Sequence, residues 1–154
     1  MAVAFLTIQL IPIDRENKPV DKNNNFTDIY KTPQDVRSLL KNACFDCHSN
    51  ETVYPNYAYI APISWAVKDH INEGREYLNF SEWGTYNKDI KQNAIQKSIE
   101  TIRSKQMPLP SYINYHPKAN LTTSQRKILE NYFLSIQAKS VSYTHLTLPT
   151  KRIV

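Results

Sequence analysis

Three features of the sequence predict an all-α fold. Apolar residues recur at helical spacing in four separate segments, glycine occurs only twice against nine prolines, and nothing resembles the strand–helix alternation of a parallel sheet. Scarce glycine argues against a turn-dense β-sandwich, and frequent proline argues for helices joined by stiff loops. At 154 residues, 41% of them hydrophobic, the chain is about one domain long with material for one compact core.

Residues 1–13, MAVAFLTIQLIPI, are apolar and uncharged. They are shorter than the eighteen or so residues needed to cross a bilayer and lack the basic start of a signal peptide, so they read as the remnant of a membrane anchor or signal. Residues 14–25 are polar and read as a linker, and the globular part is expected over 26–139. Thr32, Pro33 and Asp35 mark a helix start, and Val36, Leu39, Leu40 and Ala43 form its apolar face up to Cys44. Residues 51–63 hold three tyrosines and two prolines and form an aromatic loop in which Tyr54, Tyr57 and Tyr59 pack or reach a cofactor.

Ser64 is an N-cap candidate for a second helix over 65–77, with Val67, His70, Ile71, Gly74 and Leu78 in phase. A glycine inside that helix costs about 1 kcal/mol relative to alanine, so a backbone or a cofactor is expected to approach Gly74 closely. Leu78, Phe80 and Trp83 surround a turn closed by Gly84. Ile90, Ala94, Ile95, Ile99 and Ile102 predict a third helix over 87–103, and Met107, Pro108, Leu109 and Pro110 a rigid extended loop. Thr122 with Gln125 matches a capping box, opening a final helix striped by Ile128, Leu129, Tyr132, Phe133 and Ile136. Residues 140–154 break the periodicity and read as a non-native or disordered tail.

The most specific chemistry lies in Cys44, Phe45, Asp46, Cys47 and His48, which spell C-x-x-C-H and include both cysteines of the chain. Two thiols at this spacing can each add across a vinyl group of one porphyrin, and the next histidine then meets the iron. The motif therefore points to one covalently attached haem c with Cys44 and Cys47 as attachment residues and His48 as proximal ligand. Two other chemistries use C-x-x-C. A structural zinc site needs four ligands, and His70, His116 and His145 are too widely spaced to complete one; a thioredoxin-like pair belongs to a βαβ context that is absent.

Met107 is the one internal methionine and lies in a proline-stiffened loop, which makes it the leading candidate for the sixth iron ligand. His70 is the alternative, followed by His116 and an open position, while His145 falls in the tail.

C-F-D-C-H-S-N with its tyrosine and proline loop, P-I-S-W, E-G-R-E-Y-L-N-F-S-E-W, M-P-L-P-S-Y and H-P-K-A-N-L-T together resemble the haem-binding domain family, small membrane-attached monohaem c-type cytochromes of Bacteroidetes and related bacteria. The resemblance covers roughly residues 8–138. It implies a cytochrome c-like bundle of about four helices around one covalent haem, with Cys44, Cys47 and His48 in the attachment motif and Met107 as distal ligand.

The expected function is one-electron transfer by a His/Met-ligated haem, an electron carrier and not an enzyme. A haem-based gas or redox sensor, or a peroxidase-like protein with an open sixth position, is the alternative. The net charge of +5 is spread along the chain, with Lys151 and Arg152 in the tail, so no nucleic-acid surface is expected. A redox protein is the expected partner. Haem attachment to C-x-x-C-H takes place outside the bacterial cytoplasm, so a periplasmic or otherwise exported location is expected, with membrane attachment through the N-terminus.

Overall fold

Scarce glycine and frequent proline produce helices separated by short, hydrogen-bonded connections. A computed structural model describes residues 2–145, and among them are eight α-helices and no strand. The helices are α1 (Ala2–Ile8), α2 (Phe26–Ile29), α3 (Gln34–Ala43), α4 (Phe45–His48), α5 (Ile63–Tyr77), α6 (Lys88–Arg103), α7 (Pro110–Tyr115) and α8 (Thr123–His145). Short 3₁₀ turns occupy Asn56–Tyr59, Phe80–Thr85 and Pro117–Ala119.

The four segments with helical periodicity are α3, α5, α6 and α8. Their starts follow from local chemistry. The Asn87 side chain accepts the Ile90 N–H at 2.9 Å and caps α6. Thr122 and Gln125 exchange backbone-to-side-chain bonds of 2.8 and 3.2 Å, a reciprocal capping box ahead of α8. The expected cap at Ser64 is displaced: α5 begins at Ile63 with Pro62 in the cap position, and Ser64 is buried in the first turn. Proline already holds a near-helical φ, so the helix starts there without a side-chain cap. Helices α1, α2, α4 and α7 are too short to show a stripe, which is why periodicity does not signal them. The extended loop after Met107 ends at Pro110, which opens α7.

The chain divides into two units, Met1–Tyr86 and Asn87–Val154. In the first, α4 packs on both α3 and α5. The core is aromatic: Phe26 meets Tyr30, Phe80 and Trp83 edge-on, each at a centroid distance of 5.0 Å, and Phe45 meets Phe80 at 5.5 Å. Phe45 lies between the two cysteines, so its ring ties the C-x-x-C-H turn to this cluster. At Gly84, a Cβ would run into the Asn24 side chain, and the bare N–H instead donates to the Asn24 carbonyl at 2.8 Å.

Residues 9–17, from the expected anchor and linker, are hydrogen-bonded to the same unit. The Gln9 amide accepts the Ala61 N–H and donates to the Ala61 carbonyl, at 2.9 and 3.0 Å. Trp65 Nε1 donates to Ile11 O at 3.1 Å, Arg15 Nε to Ala58 O at 3.0 Å, and Asn17 Nδ2 to Thr52 O at 2.8 Å. Helix α1 buries none of its residues, and Val3, Phe5 and Leu6 face outward. Among the described residues no helix is long and apolar enough to cross a membrane.

In the second unit α6 and α8 pack together over Ala94, Ile95, Ile99, Ile102, Leu129, Phe133 and Ile136. The pairs Gln96–Gln137, Ile102–Arg126 and Arg103–Glu130 run in opposite directions along the two helices, so these are antiparallel. Where the sequence suggests a tail from residue 140, α8 continues to His145, and residues 146–154 lie outside the described residues.

Candidate cofactor site

Cys44 ends α3, its N–H bonded to Leu40 O at 2.8 Å. Its own carbonyl accepts the N–H groups of Cys47 and His48 at 3.2 and 2.9 Å, which closes the single turn of α4. Side chains three apart in such a turn share one side, so both thiols project together with His48 next to them. Both cysteines are free, and each residue as a whole is part-buried.

Helix α5 lies behind this turn. His48 Nδ1–H donates to the carbonyls of Gly74 and Leu78 at 2.8 and 3.1 Å. Carbonyls can only accept, so Nδ1 carries the proton. Burial holds the imidazole below its ordinary pKa against the opposing pull of the Leu78 and Gly74 carbonyls. A neutral ring protonated on Nδ1 leaves the Nε2 lone pair for a metal, on the side of the ring facing away from α5.

The approach of α4 to α5 depends on Gly74. A Cβ there would stand 2.7 Å from the Cys47 carbonyl oxygen and 3.2 Å from the Cys47 Cβ, so the close approach expected at this glycine is that of the Cys47 backbone. The next residue fastens the segment that leaves the motif. Arg75 donates through Nε to Ser49 O at 2.9 Å and through Nη2 to Thr52 Oγ1 and Asn17 Oδ1 at 2.9 and 3.1 Å. Behind it the buried Asn79 and Ser81 hold Asn50: Asn79 Nδ2 donates to Asn50 Oδ1 at 2.9 Å, and Asn50 N–H to Ser81 Oγ at 3.0 Å. Sequence reasoning assigns no role to Arg75, Asn79 or Ser81. Their one signal is a place with Gly74 in the block E-G-R-E-Y-L-N-F-S-E-W, which packs against C-F-D-C-H-S-N.

The electrostatics separate the possible uses of the cysteines. Burial pushes the Cys44 thiol up to about 12, with Cys47 adding to it. Cys47 rises to about 11, mainly by burial, with Asp46 adding and Arg75 opposing. A redox dithiol carries a depressed pKa, and neither thiol here has one. Among the described residues no group of three or more His, Cys, Asp or Glu converges on a metal position, so a four-ligand zinc site finds no set here.

A haem fits these residues. Two thiols on one turn, an adjacent imidazole with a bare Nε2, and a buried unpartnered hydroxyl in the following loop are groups that a haem would engage. Tyr54 Oη is buried without a hydrogen-bond partner among the described residues. The preceding residues are tied to the motif, Thr52 Oγ1 donating to Asp46 O at 2.6 Å and Val53 N–H to Asp46 Oδ1 at 2.9 Å. An orphaned buried hydroxyl costs about 1–3 kcal/mol unless it finds an acceptor, which a haem carboxylate would provide.

The sequence pattern described as a haem-binding domain matches residues 3–135. The chain belongs to the haem-binding domain family. The turn of α4 and its backing by α5 are therefore parts of a haem-binding domain, and both lie within the matched residues. No curated protein and no solved structure matched the chain.

The remaining site candidates of this haem-binding domain fall in both units, His70 in the first and Met107, His116 and His145 in the second. Helical spacing places His70 on the apolar face of its helix; it is instead 61% exposed beside Glu73, because the face of α5 turned to the core carries Ser64, Ile71 and Gly74. His116 stacks on Tyr112 with centroids 4.1 Å apart. Met107 is part-buried in the second unit, its N–H bonded to Thr101 O at 3.1 Å and its carbonyl to Arg126 Nη1 at 2.6 Å. His145 ends α8.

In the haem-free chain, stability is expected to fall as pH drops from 7 toward 5. The folded His48 pKa is depressed, whereas the unfolded histidine keeps its ordinary value of about 6.5, so the unfolded chain takes up the proton first and stability rises with pH across that window. Thermal melts of wild type and His48→Gln test this; equal pH slopes would contradict it.

Proposed function

We propose that this haem-binding domain is a c-type cytochrome that carries single electrons. Cys44 and Cys47 attach the haem, His48 and Met107 ligate its iron, and a second redox protein is the partner. The observation that carries the reading is the bond of His48 Nδ1 to Gly74 O and Leu78 O, directly after two thiols on one turn. It presents Nε2 as a ligand before any cofactor arrives.

Cys44 and Cys47 would hold the haem by adding each S–H across a C=C of the porphyrin, sulfur to one carbon and hydrogen to the other, with no oxidant or reductant consumed. When bound, the haem supplies a one-electron iron couple. The chain then positions it: α5 fixes the imidazole, Phe45 anchors the turn in the aromatic core, and Tyr54 offers a hydroxyl to a haem carboxylate. Methionine as the second ligand favours ferrous iron and raises the reduction potential. With His48 and Met107 both holding the iron, no site would be left for substrate, and the protein would act as a carrier and not an enzyme.

Export across the bacterial inner membrane and attachment through the N-terminus complete the reading. What supports attachment is α1, an apolar helix that buries none of its own residues, continuing into a segment fastened to the domain at Gln9 and Ile11.

Maturation of the chain in a haem-attaching host tests the proposal. After denaturation and organic extraction, haem is expected to stay on the wild-type polypeptide, to be retained in reduced yield by Cys44→Ala or Cys47→Ala, and to be lost from the double variant. Complete extraction from wild type would refute covalent attachment.

A further inference from the structure

Met107 is held through its main chain on both sides. The chain leaves α6, reverses through Lys105 at a left-handed φ of 61°, and returns the Met107 N–H to Thr101 O at 3.1 Å. On the other side the Met107 carbonyl accepts from Arg126 Nη1 at 2.6 Å, and the same nitrogen donates to Ile102 O at 3.2 Å.

This second fastening answers a gap that the loop creates. Pro108 and Pro110 have no N–H, so the M-P-L-P segment can donate little toward its surroundings. The Met107 carbonyl is the polar handle left next to the methionine, and a donor for it must come from elsewhere. Arg126 supplies one from the first turn of α8, where the Thr122–Gln125 capping box sets its position.

Arg126 does not take the carboxylate that helix spacing offers it. Glu130, one turn further along α8, is placed to pair with it, yet Glu130 pairs with Arg103 at 2.7 Å and Lys127 at 3.4 Å. Among the described residues no carboxylate pairs with Arg126. Its charge-assisted bonds go to two backbone carbonyls, one at the end of α6 and one on Met107, and so join the loop to the helix pair.

We propose that Arg126 is a positioning residue for the sixth haem ligand: it latches the Met107 carbonyl to the end of α6 and thereby fixes the direction in which the thioether is presented. The role rests on Met107 being the distal ligand. A thioether is a neutral, weak ligand, so its hold on iron depends on how little freedom it has to give up, and the latch removes that freedom in advance.

Imidazole competition against the ferric holoprotein tests the role, with Met107→Ala, Arg126→Ala and Arg126→Lys beside wild type. Imidazole affinity is expected to rise about tenfold in Arg126→Ala, the scale of one charge-assisted hydrogen bond, less in Arg126→Lys, and most in Met107→Ala. Hydrogen exchange of the haem-free full chain gives a second readout: the Met107 amide speeds up in Arg126→Ala while those of Ile95 and Ile99 do not. A rise in Met107→Ala with none in either Arg126 variant overturns the positioning role alone. No rise in Met107→Ala overturns the ligand assignment and the latch with it. Faster exchange throughout α6 marks Arg126 as generally structural and also overturns the proposal. Should Arg126→Ala not fold, Arg126→Lys carries the same comparison, since it keeps the charge and stem and loses the planar fork.

Discussion

Replacing Gly74 with alanine is expected to cut the haem content of the purified protein severalfold and to lower the melting temperature of the haem-free chain. The new Cβ would stand 2.7 Å from the Cys47 carbonyl oxygen and 3.2 Å from the Cys47 Cβ, and neither atom is the far end of a flexible side chain. Overpacking of this kind costs about 1–3 kcal/mol, against about 1 kcal/mol gained from the better helix propensity of alanine, so destabilisation wins. The effect on haem exceeds the effect on stability, because α5 cannot retreat from Cys47 without moving the Gly74 and Leu78 carbonyls that hold His48. Haem per polypeptide and thermal melts of the two proteins decide it. Wild-type values for both would mean that α4 and α5 separate freely, and that the glycine is not required for their approach.

Met107→Ala is expected to convert a low-spin ferric spectrum into a high-spin one and to abolish the weak far-red methionine-to-iron band. The reduction potential should fall on the order of a hundred millivolts or more, given that axial ligands move haem potentials over about 0.8 V. Covalent haem content should not change, because Cys44, Cys47 and His48 are untouched. A high-spin ferric spectrum in the wild type would favour the open-site reading, a gas sensor or a peroxidase-like protein. An unchanged spectrum in Met107→Ala together with a changed one in His70→Ala or His116→Ala would reassign the sixth ligand.

Strong local signals are legible in the amino-acid sequence alone. The capping box at Thr122, the Asn87 start and the apolar stripes of α3, α5, α6 and α8 all depend on contacts within a few residues, and local sequence reports such contacts well. The short helices and the start of α5 are not legible in this way, since four to seven residues carry no period and a proline cap carries no side-chain acceptor. His70 shows a different limit. Helical spacing puts it in phase with Val67 and Gly74, but a residue at the edge of a stripe is placed inside or outside by what packs there, and it lies in solvent.

By itself the sequence determined the all-α class and the C-x-x-C-H spacing of Cys44, Cys47 and His48, and it named Met107 as a ligand candidate, because each is written in residue type and spacing along a short stretch of chain. Tertiary structure decided which nitrogen of His48 is free, since the acceptors are main-chain carbonyls twenty-six and thirty residues away that no side-chain pattern encodes. It likewise decided why Gly74 is a glycine and what holds Met107. Those answers depend on one backbone meeting another, and a sequence records side chains while leaving such meetings to packing.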